Sequence, residues 1–393
     1  MSRFLPFILA VTLSNTRLAP AGALCTPAPD APSGTWDTSQ ATLPARSRAT
    51  RDGIALVRGI ACRADLAVDD GIIEFELAPS SNGFAGIAFR MSSAADYEII
   101  YFRQGAEGRW AGVQYQPVYE GETTWQLYPG DGYEADLPAR VATADGWTKV
   151  RLVIAGRRAD LYVGNDTTPA LRVRELKRTP ARGPIALWAA TSQNATSATA
   201  TIRALRVRPL DGVTLAPVAS DTAFPGQLTR WRVSQRFAAP DSLAFADTLS
   251  SEQRRAAHEG RLATAEPSGL VSLTAFVGNP AGPQRTNVFG GAGWGVAYAN
   301  VTLHSSRDQT RRLSLSYSEA VGVYLDGALV YVGDNRYEAR AKGQLGVVGR
   351  EGETVPLHLH AGDNEIGLAI VDKAFGWGFR GRLDSLDAVQ VTP

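Results

Sequence analysis

The chain has 393 residues, too many for one ordinary core, so two or three domains are expected. Hydrophobic residues make up 44% and charged residues 20%, the balance of a globular rather than a disordered protein. Its 40 basic and 39 acidic residues nearly cancel, which excludes the electrostatic footprint of a nucleic-acid binder.

At the N-terminus Arg3, the apolar stretch Phe4 to Leu13 and the small residues Ala21-Gly22-Ala23 read as a signal peptide, residues 1–23, cleaved after Ala23. An apolar stretch of that length spans only ~15 Å as a helix, too short to cross a bilayer. A secreted or periplasmic protein without membrane insertion is therefore expected. Leu24 stands where a lipid-attachment site needs a small residue before Cys25. Cys25 and Cys62 can pair in an oxidising compartment or stand as two thiols. Residues 24–49, rich in Pro, Ala, Ser and Thr, read as a flexible leader.

From residue 50 to 208 short strand signals repeat between turn residues. Ile72 to Leu77 alternates, with Ile73, Phe75 and Leu77 on one face and Glu74 and Glu76 on the other. Gly86 to Met91, Tyr97 to Arg103, Val113 to Tyr119, Lys149 to Ile154, Ala159 to Val163, Pro184 to Ala189 and Ala200 to Val207 continue the set. Residues 209–227, with three prolines and two glycines, read as a linker with few contacts across it. Ser250-Ser251-Glu252-Gln253 predicts a capped helix ending near Gly260. Strands then resume, and Asp326-Gly327 is a strong hairpin signal. The fold class expected is all-β, two tandem β-sandwich (jelly-roll) domains, the second over residues 228–393.

Candidate chemistry is sparse. There is no Gly-x-Ser-x-Gly, no His-Glu-x-x-His and no phosphate-cradling glycine loop; Gly290-Gly291-Ala292-Gly293 leads into a strand. Glu74 and Glu76 can put two carboxylates into a cleft or lie on a solvated face. His358 and His360 with Asp363 fall short of a metal motif, so no cofactor is expected. The stronger signal lies between Tyr97 and Tyr128. There Tyr101, Trp110, Tyr115, Tyr119 and Trp125 interleave with Arg103, Gln114, Gln116 and Gln126. Aromatic faces beside amide and guanidinium groups suit a sugar ring, although strand alternation sends half of such residues inward.

Gly71 to Glu76, Gly86-Ile87-Ala88-Phe89-Arg90, Tyr97-Glu98, Gly146-Trp147-Thr148 and Gly183 to Trp188 resemble the concanavalin A-like lectin/glucanase superfamily, in particular its 3-keto-disaccharide hydrolase-type sandwiches. That resemblance implies a sugar cleft faced by Arg90 and Glu98. Ile100 stands where such domains often carry a polar residue, a departure that bears on hydrolysis more than on binding. Val323 to Gly327 and His360 to Ile366 resemble the galactose-binding-like sandwiches appended to many glycosidases. Gly376-Trp377-Gly378-Phe379 reads as a plug closing that second core, with an aromatic platform as the alternative.

The combined expectation is an exported carbohydrate-binding protein holding an oligo- or polysaccharide on the concave face of the first sandwich. Arg90 and Glu98 would form a hydrogen-bonding pair there, with Gln114, Gln116, Trp125 and Gln126 lining the groove. The alternative is a glycoside-cleaving enzyme using Glu98 as acid/base with Arg90 beside it. A non-catalytic structural or adhesion sandwich is the third reading.

Overall fold

A computed structural model describes the chain outside residues 1–24, 26–33, 46–48, 51, 79–82, 105–109, 138–145, 192–196, 198, 220, 222–223, 240–243, 280–293 and 342–343. The expected signal peptide and the Gly290 to Gly293 run lie outside the described residues. So do parts of the leader, and of Trp110 only the backbone is described.

Apolar alternation builds two antiparallel sheets in the first half. One runs in the order Asp37–Thr42, Arg58–Val68, Gly183–Ala190, Phe84–Ser93, Asp96–Gln104, Trp110–Tyr119, Glu122–Thr123, with Glu134–Asp136 also on Trp110–Tyr119. The other runs Leu171–Val173, Arg158–Val163, Thr148–Ala155, Gly71–Ala78, Ala200–Arg208, Gly53–Leu56. Ile73, Phe75, Ile87, Phe89, Ile100, Phe102 and Tyr115 fill the core between them. The alternation is the one expected of a sandwich, period two with each face committed.

The larger sheet is apolar on its outer face as well, where Ile99, Tyr101, Met91 and Trp188 cluster around Cys25 and Cys62. The two cysteines form a disulfide, with Cα atoms 5.5 Å apart. That corrects the expectation of a flexible leader. Cys25 is buried, and Asp37–Thr42 pairs antiparallel with Arg58–Val68 as the edge of the sheet.

The second half repeats the plan. Arg261–Thr264, Arg230–Val233, Trp294–Ser305, Gly362–Asp372, Ala320–Leu325 and Ala328–Asp334 form one sheet, with Phe237–Ala239 and Val389–Thr392 also on Trp294–Ser305. Val271–Ser272, Gly378–Leu383, Gln309–Ser318 and Glu353–Leu359 form the other. Trp231, Trp377 and Phe379 are fully buried between them, so the Gly376 to Phe379 segment plugs the core. Asp326 and Gly327 both take positive φ (52° and 87°), as a two-residue hairpin turn of this hand requires. The helix Ser251–His258 carries its capping box, Ser250 Oγ accepting from Gln253 N–H at 3.2 Å.

The two sandwiches are docked, contrary to the expectation of few contacts across the join. Leu270 and Val348 of the second pack into the core cluster of the first. Lys177 Nζ reaches Glu266 at 2.6 Å, and Tyr128 Oη donates to the same carboxylate at 2.7 Å. Lys177 is almost fully removed from water, and Tyr128 and Tyr133 present their ring faces to its ammonium. Gln126 bonds the main chain of Leu345, Phe375 and Val348. A buried charge left alone is far more costly than a paired one. The full chain should therefore unfold in one calorimetric transition. Glu266→Ala, which leaves Lys177 with Glu175 at 2.8 Å as its remaining carboxylate partner, should lower the unfolding free energy by roughly 1–2 kcal/mol, because the ammonium stays paired and Glu266 keeps some water. Two separated transitions, or a neutral variant, would contradict the docked arrangement.

Candidate functional site

The strand Asp96–Gln104 divides its side chains by parity. Tyr97, Ile99, Tyr101 and Arg103 point outward, while Glu98, Ile100 and Phe102 point into the sandwich. Its neighbour pairs Tyr101 with Gln114 and Ile99 with Gln116, so both glutamines share the outer face. Glu98 pairs with Pro117 and faces the other way.

On the outer face lies a cleft of about 360 Å³. One wall is Phe84, Tyr101 and Trp188, with Tyr101 5.8 Å from Phe84 and 5.7 Å from Trp188 between ring centroids. The facing wall joins Trp125 of the first sandwich to Tyr337 and Phe375 of the second. Trp125 lies 5.5 Å from Phe375 and 6.3 Å from Tyr337. Leu345 and Val347 complete the rim. Both sandwiches build this cleft.

Its polar groups are few. Arg103 is held by Glu134 and also reaches Asp136 at 3.4 Å, so its charge is already answered. Gln116 accepts Thr124 N–H at 2.7 Å through Oε1, while its Nε2 has no partner among the described residues. The buried Thr123 hydroxyl is likewise unpartnered, and both residues line the cleft. Buried polar groups are almost always satisfied, so the unpartnered Thr123 hydroxyl marks a place for a ligand group, with the Gln116 amide beside it. Gln114 is spent on structure: it accepts from Tyr101 Oη at 2.5 Å and donates to the Trp125 and Tyr128 carbonyls.

Of the expected site residues, Gln114, Gln116 and Trp125 come together at the cleft. Gln126 does not line it; fully buried, it joins the two sandwiches. Arg90 and Glu98 make no hydrogen bond with each other, which corrects the expected pair. Arg90 takes a positive φ of 50° and turns to the opposite sheet, donating to the Asp69 carbonyl at 2.9 Å, the Gly156 carbonyl at 2.7 Å and Asp70 at 3.0 Å. Glu98 is sealed inside, where it accepts Tyr115 Oη at 2.5 Å and Arg178 N–H at 2.9 Å. Tyr115 Oη in turn accepts Lys177 N–H at 2.6 Å. The network fastens residues 177–178, and with them the Lys177 side chain, to the sheet.

Glu74 and Glu76 likewise meet arginines of Ala200–Arg208 rather than a sugar cleft, and Arg208 and Arg206 hold the Glu74 carboxyl down at about 2. His358 bonds Thr310, His360 bonds the Ala361 carbonyl, and Asp363 bonds His304. Sequence reasoning missed Thr123, Tyr337 and Phe375. Thr123 stands two residues before Trp125 in the aromatic stretch, but no local signal ties the other two to it.

No family model matches the chain, and no curated relative matches it in sequence. Among solved structures it is similar to the carbohydrate-binding module CBM66 from Bacillus subtilis, at 12% identity over 44% of this chain and 91% of that one, TM-score 0.26. It is similar to a β-glucanase from Bacillus licheniformis, at 14% over 46% and 94%, TM-score 0.29. An anti-sigma factor domain-containing protein from Clostridium clariflavum matches across 90% of this chain and 87% of that one, at 11% identity and TM-score 0.26.

Burial raises the Glu98 carboxyl to about 7, against the hydrogen bond from Tyr115. A raised carboxyl favours the folded state fully below its unfolded value near 4.5, and the advantage is lost as pH rises through about 7. Glu98→Gln removes that titration. The stability difference between variant and native chain should shift toward the variant by on the order of 3 kcal/mol from pH 4.5 to 7, measured by denaturant unfolding. A difference that stays flat with pH would contradict the sealed carboxyl.

Proposed function

We propose that the protein is an exported carbohydrate-binding protein, and that a neutral sugar sits in the cleft between the two sandwiches. The observation that carries this reading is the pair of facing aromatic walls with the Gln116 amide and the buried, unpartnered Thr123 hydroxyl between them. A pyranose offers apolar C–H faces to stack on rings and hydroxyls to meet an amide donor and a hydroxyl. The Arg103–Glu134 pair balances its own charge, which suits a neutral ligand. The volume falls at the small end of ligand clefts, room for a short saccharide or the end of a longer chain. In this reading the first sandwich is a concanavalin A-like lectin-type domain and the second a galactose-binding-like partner that completes the site.

Binding is favoured over cleavage by the carboxylates. Hydrolysis by acid and base needs two of them flanking one bond. Glu134 is the one carboxylate among the described residues of the cleft, and Arg103 engages it. Glu98, the acid the resemblance implied, is sealed behind the sheet. Export to the periplasm or beyond is part of the proposal, supported by the Cys25–Cys62 disulfide, since such bonds persist in oxidising compartments.

A glycan array probed with the full chain should give neutral oligosaccharide hits. Trp125→Ala should weaken the best of them by ~1–2 kcal/mol, roughly five- to thirtyfold, by titration calorimetry. Glu98→Gln should leave that affinity within about twofold at pH 6. An array without hits, or binding indifferent to Trp125, would overturn the reading.

A further inference from the structure

We propose that the loop 373–376 is a movable wall of the cleft, held shut by three buried carboxyl groups, Glu122, Glu319 and Asp372, and released when they ionise. The proposal rests on the cleft being the binding site, because Phe375 is the loop's contribution to it.

Phe375 is the first sign. Its φ is 79°, in the left-handed region where a bulky side chain is an outlier. Such strain persists only where the surroundings over-determine it, and it gathers at binding and switch sites. Here the restraints come from the first sandwich. Glu122 accepts Phe375 N–H at 2.5 Å, and Gln126 N–H donates to the Phe375 carbonyl at 3.0 Å. The result aims the ring at Trp125 and Tyr337. Thr123 and Trp125, which also line the cleft, follow Glu122 directly in the chain.

The rest of the loop hangs from the other two acids. Asp372 Oδ1 accepts Ala374 N–H at 2.9 Å, and the Lys373 N–H lies close to both Glu319 and Asp372. Ser318 Oγ donates to the Gly376 carbonyl and accepts Gly378 N–H at 3.2 Å. Glu122, Glu319 and Asp372 are each at most 5% exposed and close enough to repel one another. None is ion-paired among the described residues. The charges that face them are Asp334, Arg336 and Lys373. Arg336 is held two-pronged by Asp334, and Lys373 Nζ lies 5.6 Å over the Trp294 ring. Three buried carboxyls with no cation of their own are tolerated while protonated and repel one another once charged.

Burial raises the Glu319 carboxyl to about 7, and burial with mutual repulsion holds Glu122 and Asp372 well above the usual carboxylate range. In an open loop each would return to near its ordinary value. Below about 4.5 both forms are protonated and the loop is held in full. Between about 4.5 and 7 the open form sheds a proton that the closed form keeps, so Glu319 alone raises the opening constant roughly tenfold per pH unit. Glu122 and Asp372, held well above the usual carboxylate range, act in the same direction.

The test is amide hydrogen exchange of the full chain without ligand, following peptides over Asp372–Gly378 by mass spectrometry at pH 5 and 7, corrected for the intrinsic rate. Protection should fall at least roughly fortyfold, and Glu319→Gln should remove about fortyfold of that fall. If that variant does not fold, Glu122→Gln, whose amide oxygen still accepts the Phe375 N–H, should blunt the fall in the same direction. Protection that ignores pH, or an unchanged fall in the folded variant, would overturn the proposal. Sugar plays no part in this readout. A pH-independent loop in a sugar-binding protein sinks the loop proposal alone, and a chain that releases the loop but binds no sugar sinks only the functional reading.

Discussion

Lys177 leaves the first sandwich with its ammonium almost fully removed from water and meets Glu266 of the second at 2.6 Å. Everything that makes a cleft here depends on that seam. The lysine is positioned from behind by Glu98 and Tyr115, which fasten the backbone of residues 177 and 178, and Tyr128 ties Glu266 from the other side. Desolvating charges is unfavourable unless geometry and partners are complete, and separation would take from Glu266 its ion-pair partner and leave Lys177 only Glu175. With the seam closed, Tyr337 and Phe375 stand opposite Tyr101 and Trp188. Without it, the first sandwich would keep Phe84, Tyr101, Trp188 and Trp125 but lose Tyr337 and Phe375 from the facing wall.

The same logic reassigns Glu98. A carboxyl sealed inside a sandwich, its phenol partner kept a donor by burial and by Glu98 itself, is a fastening rather than an acid in a groove. Its raised titration follows from burial and signals no catalysis; structural networks shift carboxyls as readily as active sites do. Arg90 plays a comparable part at the sandwich edge, drawing the Asp69–Asp70 and Gly156 turns onto the larger sheet. The first domain thus invests its most polar inward residues in rigidity and keeps its outer face for the cleft.

Much of the fold was legible because the relevant signals are local. Alternation at Ile72 to Leu77, the Asp326-Gly327 turn and the Ser250 to Gln253 capping box each act within a few residues. Parity was available but not drawn: Glu98 is three residues from Tyr101 on one strand and faces the other way, so Glu98 could not share a groove with Tyr101, Gln114 and Gln116. What stayed hidden depends on tertiary distance. Asp37–Thr42 has a leader's composition yet is recruited as an edge strand beside the disulfide. Tyr337 and Phe375 lie more than two hundred residues from Trp125, and only docking brings them together. The arginines that answer Glu74 and Glu76 come from a strand far along the chain.

The central claim is that the ligand lies between the sandwiches and touches both. A crystal structure of the full chain with its best-binding oligosaccharide tests this most directly. The account predicts sugar rings between Trp125, Phe375 and Tyr337 on one side and Tyr101 and Trp188 on the other, with a hydroxyl on Gln116 Nε2. A saccharide seated on any other face, with this cleft unchanged and empty, would contradict it.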